Sequence, residues 1–313
     1  MATSGSTNFA ATRNQILRQA ALKVNALPSN ATMSATMLTD MAFGLNAMVK
    51  AWQGGGIHIW TIAEGVLFPA VDQVKYGLGT GATDHATETY YETAITADEA
   101  AGQTVISVDS TANMTVADNI GICLDDGSIQ WTTISSKTST TVTVAAALTD
   151  SAAEDQPVFN YTTRIVRPLK IKFARRYNIS DARDTPIKVI SRQEYYDMPK
   201  KTDPGPINSL FYDPLNNTGY LYHWNAVDPV EDLIKFTFYR PIEDFDAAAD
   251  NPDLPQDWIS ALVWNFALDL SAEYPVSDAI VKRIASRAAY YLDLASSFDR
   301  EAEDIHVQPD FGP

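Results

Sequence analysis

Apolar positions recur at helical spacing near the two ends of the chain and at strand spacing between them. Ile16, Leu17, Ala20, Ala21, Val24 and Leu27 mark one face of an amphipathic helix, with Thr7 or Asn8 as its cap and Pro28 and Asn30 as its end. Met37, Leu38, Met41, Leu45, Met48, Val49 and Trp52 mark a second, from about residue 33 to 52, closed by Gly54-Gly55-Gly56. Far along the chain, Trp258, Leu262, Phe266 and Leu270 recur every fourth residue until Tyr274-Pro275. A last helix carries Ile280, Val281, Ile284, Ala288, Tyr291, Leu292, Ala295 and Phe298 on one side and Lys282, Arg283 and Arg287 on the other. The short links predict two antiparallel helical hairpins. Four apolar stripes need cover, and a four-helix bundle built from both ends is the simplest arrangement that gives it.

Between the hairpins the pattern shortens to alternation. Residues 104–108, 119–124, 128–134, 140–144 and 158–161 read as strands, with Asp125-Asp126-Gly127 as a hairpin turn between two of them. Residues 165–173 read as one long strand. A strand at 187–191 leads into Arg192-Gln193-Glu194-Tyr195-Tyr196-Asp197-Met198-Pro199, a helical turn closed by proline, and 210–214, 219–224 and 233–239 read as successive antiparallel strands. The expected fold class is α+β: terminal helical hairpins forming a four-helix bundle, a central antiparallel β region and an inserted small all-β domain. The boundaries are 1–56 for the first hairpin, 57–79 and 162–253 for the central region and 80–161 for the insertion. The second hairpin takes 254–298, and 299–313 form an extended tail rich in Pro and Gly.

Charge divides the middle of the chain. The whole carries a net charge of −16, and residues 80–160 hold twelve acids against Lys137 alone, a net of −11. Immediately afterwards Arg164, Arg167, Lys170, Lys172, Arg175, Arg176, Arg183, Lys188 and Arg192 are interrupted only by Asp181 and Asp184. Such a basic band would either contact DNA or form ion pairs with a neighbouring subunit or partner. Strong neutralisation of phosphates would grip a duplex by counterion release, and the chain's overall acidity argues against such a clamp.

Catalytic chemistry finds little purchase. His58, His85, His223 and His306 are far apart in sequence, none at metal-ligand spacing to another. Cys123 is the single cysteine, within an apolar strand where a packed thiol is expected, and it excludes an intramolecular disulfide. Gly77-Leu78-Gly79-Thr80-Gly81 lacks the lysine and helix of a phosphate loop and reads as a linker. Glu243, Asp244 and Asp246 offer paired carboxylates only if they converge. Tyr90, Tyr91 and Trp131 could stack on sugars or fill a core. No catalytic, cofactor-binding or metal-binding residue is assigned. No apolar run reaches the roughly 20 residues of a membrane span, and the N-terminus carries no secretory pattern, so synthesis in the cytoplasm is expected.

Two segments carry a resemblance. One is the turn Ser191 to Pro199. The other runs from Tyr239-Arg240-Pro241 through Glu243-Asp244-Phe245-Asp246 to Leu254-Pro255-Gln256-Asp257-Trp258, where Pro255 suits a first helical turn and Asp257 complements a helix N-terminus. With the elements around them they resemble the head-to-tail adaptor family of tailed phages, which includes the tail accessory and packaged-DNA-stabilisation proteins of short-tailed phages. The likeness covers nearly all of the chain outside the insertion. It implies a non-enzymatic virion protein at the head-tail junction, forming a ring of twelve copies. Such a ring lies between the portal protein and a tail nozzle or hub and lets double-stranded DNA pass without sequence preference. It also implies that the C-terminal tail docks on the portal, with Ile305, Val307 and Phe311 as apolar anchors. The alternative is a virion-associated host-surface glycan-binding or cell-wall-degrading protein that works through the insertion or an acidic cleft.

Overall fold

A computed structural model describes residues 5–56 and 61–297, so the expected portal-binding tail with Ile305, Val307 and Phe311 lies outside the described residues. The chain opens with α1 (Arg13–Lys23) and α2 (Ala35–Gly54). There follow β1 (Ile62–Leu67), β2 (Lys75–Leu78), β3 (Ala86–Thr87), β4 (Tyr91–Ala94), β5 (Val105–Ser107), β6 (Asn119–Cys123) and β7 (Ile129–Lys137). Next come β8 (Thr141–Val144), β9 (Pro157–Tyr161), β10 (Lys170–Asn178), β11 (Arg183–Val189), α3 (Arg192–Asp197), β12 (Ser209–Pro214), β13 (Gly219–Trp224) and β14 (Asp232–Tyr239). A 3₁₀ turn, Gln256–Trp258, leads into α4 (Ile259–Leu270), and α5 (Asp278–Ser296) is last. The chain divides into two compact units: its two ends, up to residue 61 and from residue 242, and the stretch 62–241 between them.

The expected α+β fold with a four-helix bundle is overturned. The chain is mostly β, with two large sheets and only five helices among the described residues. The helices share a core unevenly. Leu262, Phe266 and Leu270 of α4 pack with Ile16, Leu17 and Ala20 of α1 and with Leu45, Met48 and Val49 of α2, but α5 adds only Ile284, with the partly buried Ile280 against it. It lies along α4 and the 3₁₀ turn instead, through Ala288 and Ala295, with the amide of Asn265 donating to the Ala288 carbonyl at 3.2 Å. Its buried stripe is one side chain wide, too narrow to close a bundle. The cap of α1 also differs from expectation. Thr12, not Thr7 or Asn8, accepts from the Gln15 amide while the Gln15 side chain accepts from the Thr12 N–H, a reciprocal capping box.

The larger sheet runs β2-β13-β12-β11-β10-β14-β1-β3. Third from one edge is β14, whose Leu233, Ile234, Phe236 and Phe238 are fully buried. The sheet is mixed, not antiparallel: β11 and β12 run parallel, with Lys188 opposite Ser209 and Val189 opposite Leu210, because α3 carries the chain back between them. The long strand expected from residue 165 starts only at Lys170, since Pro168 has no N–H for a ladder. A bulge between Ile171 and Phe173 then breaks the alternation, burying Ile171 and leaving Phe173 exposed. The glycine-rich segment read as a linker partly belongs to the sheet, with Gly77 and Leu78 on β2 paired to β13. At α3, Ser191 and Glu194 form a capping box, and Glu194 also meets Lys188 Nζ at 3.0 Å. The Ser191 amide, then Lys188 and the Ser191 hydroxyl, hold the Glu194 carboxyl down to about 2.

The smaller sheet runs β4-β9-β6-β7-β8-β5, and a bridge between Ile95 and Val108 brings its two edges together, nearly closing a barrel. Ile106, Ile120, Ile122, Ile134, Val142 and Val158 fill its interior. Asp125, Asp126 and Gly127 make the tight turn between β6 and β7, with Gly127 at φ 82°. On the outer side of β6, Gly121 stands opposite Trp131, and a Cβ there would lie 2.7 Å from the indole. Gly121→Ala should therefore destabilise the protein by about 1–3 kcal/mol, as overpacking does. Denaturant unfolding followed by circular dichroism checks this, since the ring must shift to admit the methyl group.

Candidate functional site

The acidic segment after Pro241 is tied to the N-terminal helices by its backbone. Ile242 and Phe245 turn into the helical core, and their N–H groups donate to Gln53 Oε1 and Asn46 Oδ1 of α2, both at 2.9 Å. Lys50 pairs with Asp244 at 2.7 Å and also donates to the Ile242 carbonyl, while Arg13 of α1 donates to the Asp246 carbonyl at 2.9 Å. Glu243, Asp244 and Asp246 are exposed on the other side of the strap. The arrangement holds one chain end against the other. It does not desolvate a carboxylate pair for acid–base work.

The basic band is dispersed over a strand instead of forming one charged face. Arg175 and Arg176 are neighbours on β10 and so point to opposite sides. Arg175 meets Glu64 at 3.0 Å and Asp184 at 3.3 Å, and Arg176 meets Asp232 at 3.9 Å. Lys172 lies over the Phe173 ring, 4.9 Å from its centre, and Lys170 is exposed at the strand's start. Before the strand, Arg164 is half-buried and donates to the Thr83 carbonyl at 3.4 Å, and Arg167 is half-buried beside Gly79. Further along the sheet, Lys235 sits 3.1 Å from the centre of the Tyr177 ring, a cation–π pair whose members lie 58 positions apart and give no sequence signal.

The insertion's aromatic residues pack against the larger sheet. Phe68, just after β1, is ringed by Trp131 at 5.0 Å, Phe159 at 5.1 Å and Tyr90 at 5.6 Å, with Val66, Leu233 and Tyr161 in the same cluster. Tyr90 and Trp131 thus lie in a packed layer, and Tyr91 is half-buried against the barrel core. His85 stacks on Trp131 with ring centres 4.0 Å apart, and its Nδ1 is 2.7 Å from the Tyr161 hydroxyl. No local pattern marks His85 for this place; the sequence shows a lone histidine beside Asp84.

His223 is fully buried on β13, stacked on Tyr76, and its Nδ1–H donates to the Asn225 carbonyl at 2.8 Å. The two histidines belong to different clusters, and His58 and His306 lie outside the described residues. Among the described residues, no group of three or more His, Cys, Asp or Glu side chains is placed to hold a metal ion. Cys123 is buried, and that burial, with Glu92 nearby, pushes its thiol up to about 12, away from nucleophilic use.

Burial lowers both described histidines from 6.5 to about 4, with Arg164 adding to the effect at His85. They are neutral in the fold where the unfolded chain would already take up protons. Stability from the neutral rings is therefore complete above about pH 6.5 and lost as pH falls toward about 4. Urea midpoints should decline across that window, and His85→Gln should flatten the slope. A slope unchanged by the substitution would remove His85 from the account.

No family model and no curated protein matches the chain. Among solved structures, the Gp54 tailspike of Acinetobacter baumannii bacteriophage AP22, in complex with A. baumannii capsular saccharide, is similar at 14% identity and a TM-score of 0.23. The match covers 25% of this chain and 16% of the tailspike, a likeness too small to carry an argument.

Proposed function

We propose that the chain is a structural protein of a tailed-phage virion, a subunit of the ring that joins portal to tail. The observation that carries this reading is the surface of the helical unit. Its Phe43 is 79% exposed and its Phe9 69%, with Tyr290 and Leu294 also in solvent, large apolar side chains available to contact a neighbouring subunit. The strap after Pro241, part of the adaptor-like passage, ties the two chain ends into one unit through Gln53, Asn46 and Lys50, which supports the reading. In this reading Arg175 and Arg176, paired with acids within the chain, are not free to grip DNA phosphates. Residues 299–313 supply the portal contact through Ile305, Val307 and Phe311. Co-sedimentation with the phage's portal rings should be seen for the full chain and lost on truncation after residue 298. Equal binding by both would remove the tail from the mechanism, and binding by neither would reject the adaptor reading.

A second reading, glycan binding at the virion surface, is compatible with the first and is supported by one feature of the insertion. An open groove of about 690 Å³ runs beside β4 and β9, lined by Glu92, Thr93, Glu154, Asp155, Gln156 and Ser180. Such side chains accept hydrogen bonds from sugar hydroxyls. Retention of the full chain on host surface polysaccharide, abolished by Glu154→Ala with Gln156→Ala, would support it. Absence of retention would leave the groove without a glycan role.

A further inference from the structure

The helical unit contains a groove of about 360 Å³ between α2 and α4. Met48, Phe266 and Leu270 form an apolar floor. On α2 the groove wall is made by Gly44, Ala47 and Ala51, at three- and four-residue spacing, so no long side chain blocks the approach of another helix. Its rim bears Asp40, Asp269 and Glu273. Among the described residues no cation pairs with these three carboxylates. Burial, and then the charge of Glu273, raises the Asp269 carboxyl above its ordinary value, the state of a site short of positive charge.

α5 carries the complement. Arg283, Arg287, Tyr290 and Leu294 follow one another at four-, three- and four-residue steps, a single stripe along the helix, and all four are exposed. Neither arginine has an ion-pair partner among the described residues. Groove and stripe lie on different sides of α4: Trp264 and Asn265 meet α5, whereas Phe266, Asp269 and Leu270 line the groove. One copy cannot fill its own groove with its own stripe. We propose that α5 of one copy lies in the α2–α4 groove of the next, arginines against the acidic rim and Tyr290 and Leu294 on the apolar floor. Two unlike surfaces in contact make a head-to-tail interface, which closes into a ring when the rotation permits. This specifies the contact within the ring reading above and rests on it.

Charge reversal tests the pairing in the full chain. Asp269→Lys with Glu273→Lys, or Arg283→Glu with Arg287→Glu, should each weaken self-association about tenfold or more, as loss of interface charge pairs does. Mixing the two reversed chains, or combining all four changes, should restore it. In a Cys123→Ser background, Ala47→Cys with Tyr290→Cys should give a ladder of disulfide-linked multimers on oxidation, which neither single cysteine gives. Multimers without a ladder, failure of the combined reversal to restore association, or a chain that stays monomeric at every concentration would each overturn the interface. Portal co-sedimentation on the same samples separates the two ideas. Portal binding without the ladder leaves the adaptor reading standing, and a ladder without portal binding does the reverse.

Discussion

The pairing of β1 with β14 is the constraint on which the rest depends. Ile62 stands opposite Tyr239 and Leu67 opposite Ile234, so strands separated by most of the middle of the chain are neighbours in the sheet. Through β14 that pairing reaches β10, and its fully buried Phe236 and Phe238 form the centre against which the sheet's other apolar residues pack. Gly65, opposite Phe236, leaves space that the Phe236 ring and Ile165 enter, and a Cβ there would lie 2.6 Å from Ile165. The chain must close this long loop before the central strand has partners, so the sheet cannot be assembled from local contacts alone. The same pairing returns the chain near its point of departure, and so the segments on either side, residues up to 61 and from 242, belong to one compact unit.

Charge follows a similar division between local and distant partners. Many of the barrel's acids bind backbone amides: Asp125, Asp126 and Asp98 accept from the Ala153, Ser128 and Glu154 N–H groups, and the buried Glu99 and Asp118 accept from those of Ser107 and Thr115. These carboxylates organise loops. The basic residues of β10 find acids from β1, β11 and β14 beside them, which turns a continuous run in sequence into separate pairs on two faces. A charge run therefore says little about a charged surface until the strand's pleat and its neighbours are known.

Much of the local structure was legible. The barrel strands lie close to where alternation placed them, the Asp125-Asp126-Gly127 turn is present, and Ser191 with Glu194 caps a short helix. What periodicity could not convey was which stripes meet. Four amphipathic helices suggested one shared core, yet the buried line of α5 is only Ile284, Ala288 and Ala295. The parallel pairing of β11 with β12 was hidden because the intervening turn looks alike in either topology. Tyr90 and Trp131 gave no indication of whether they faced a ligand or a sheet, since aromatic side chains serve both. Phe68, their common partner, precedes the insertion in sequence and could not be linked to it by pattern.

That shared aromatic layer has a consequence for how such a chain could change over time. The barrel is entered at β4 and left at β9, and these are paired strands, Tyr91 opposite Asn160, so the whole module hangs from two adjacent crossings of the backbone. Wiring of that kind favours a cassette, exchangeable for another without rethreading the host. The cassette here is not free of its host, because Trp131 and Phe159 sit on Phe68 and removing them would strand that ring and Leu233 in water. A lineage could replace this barrel with a different one only by bringing an equivalent aromatic plug, or by first recolouring the sheet beneath it as polar surface.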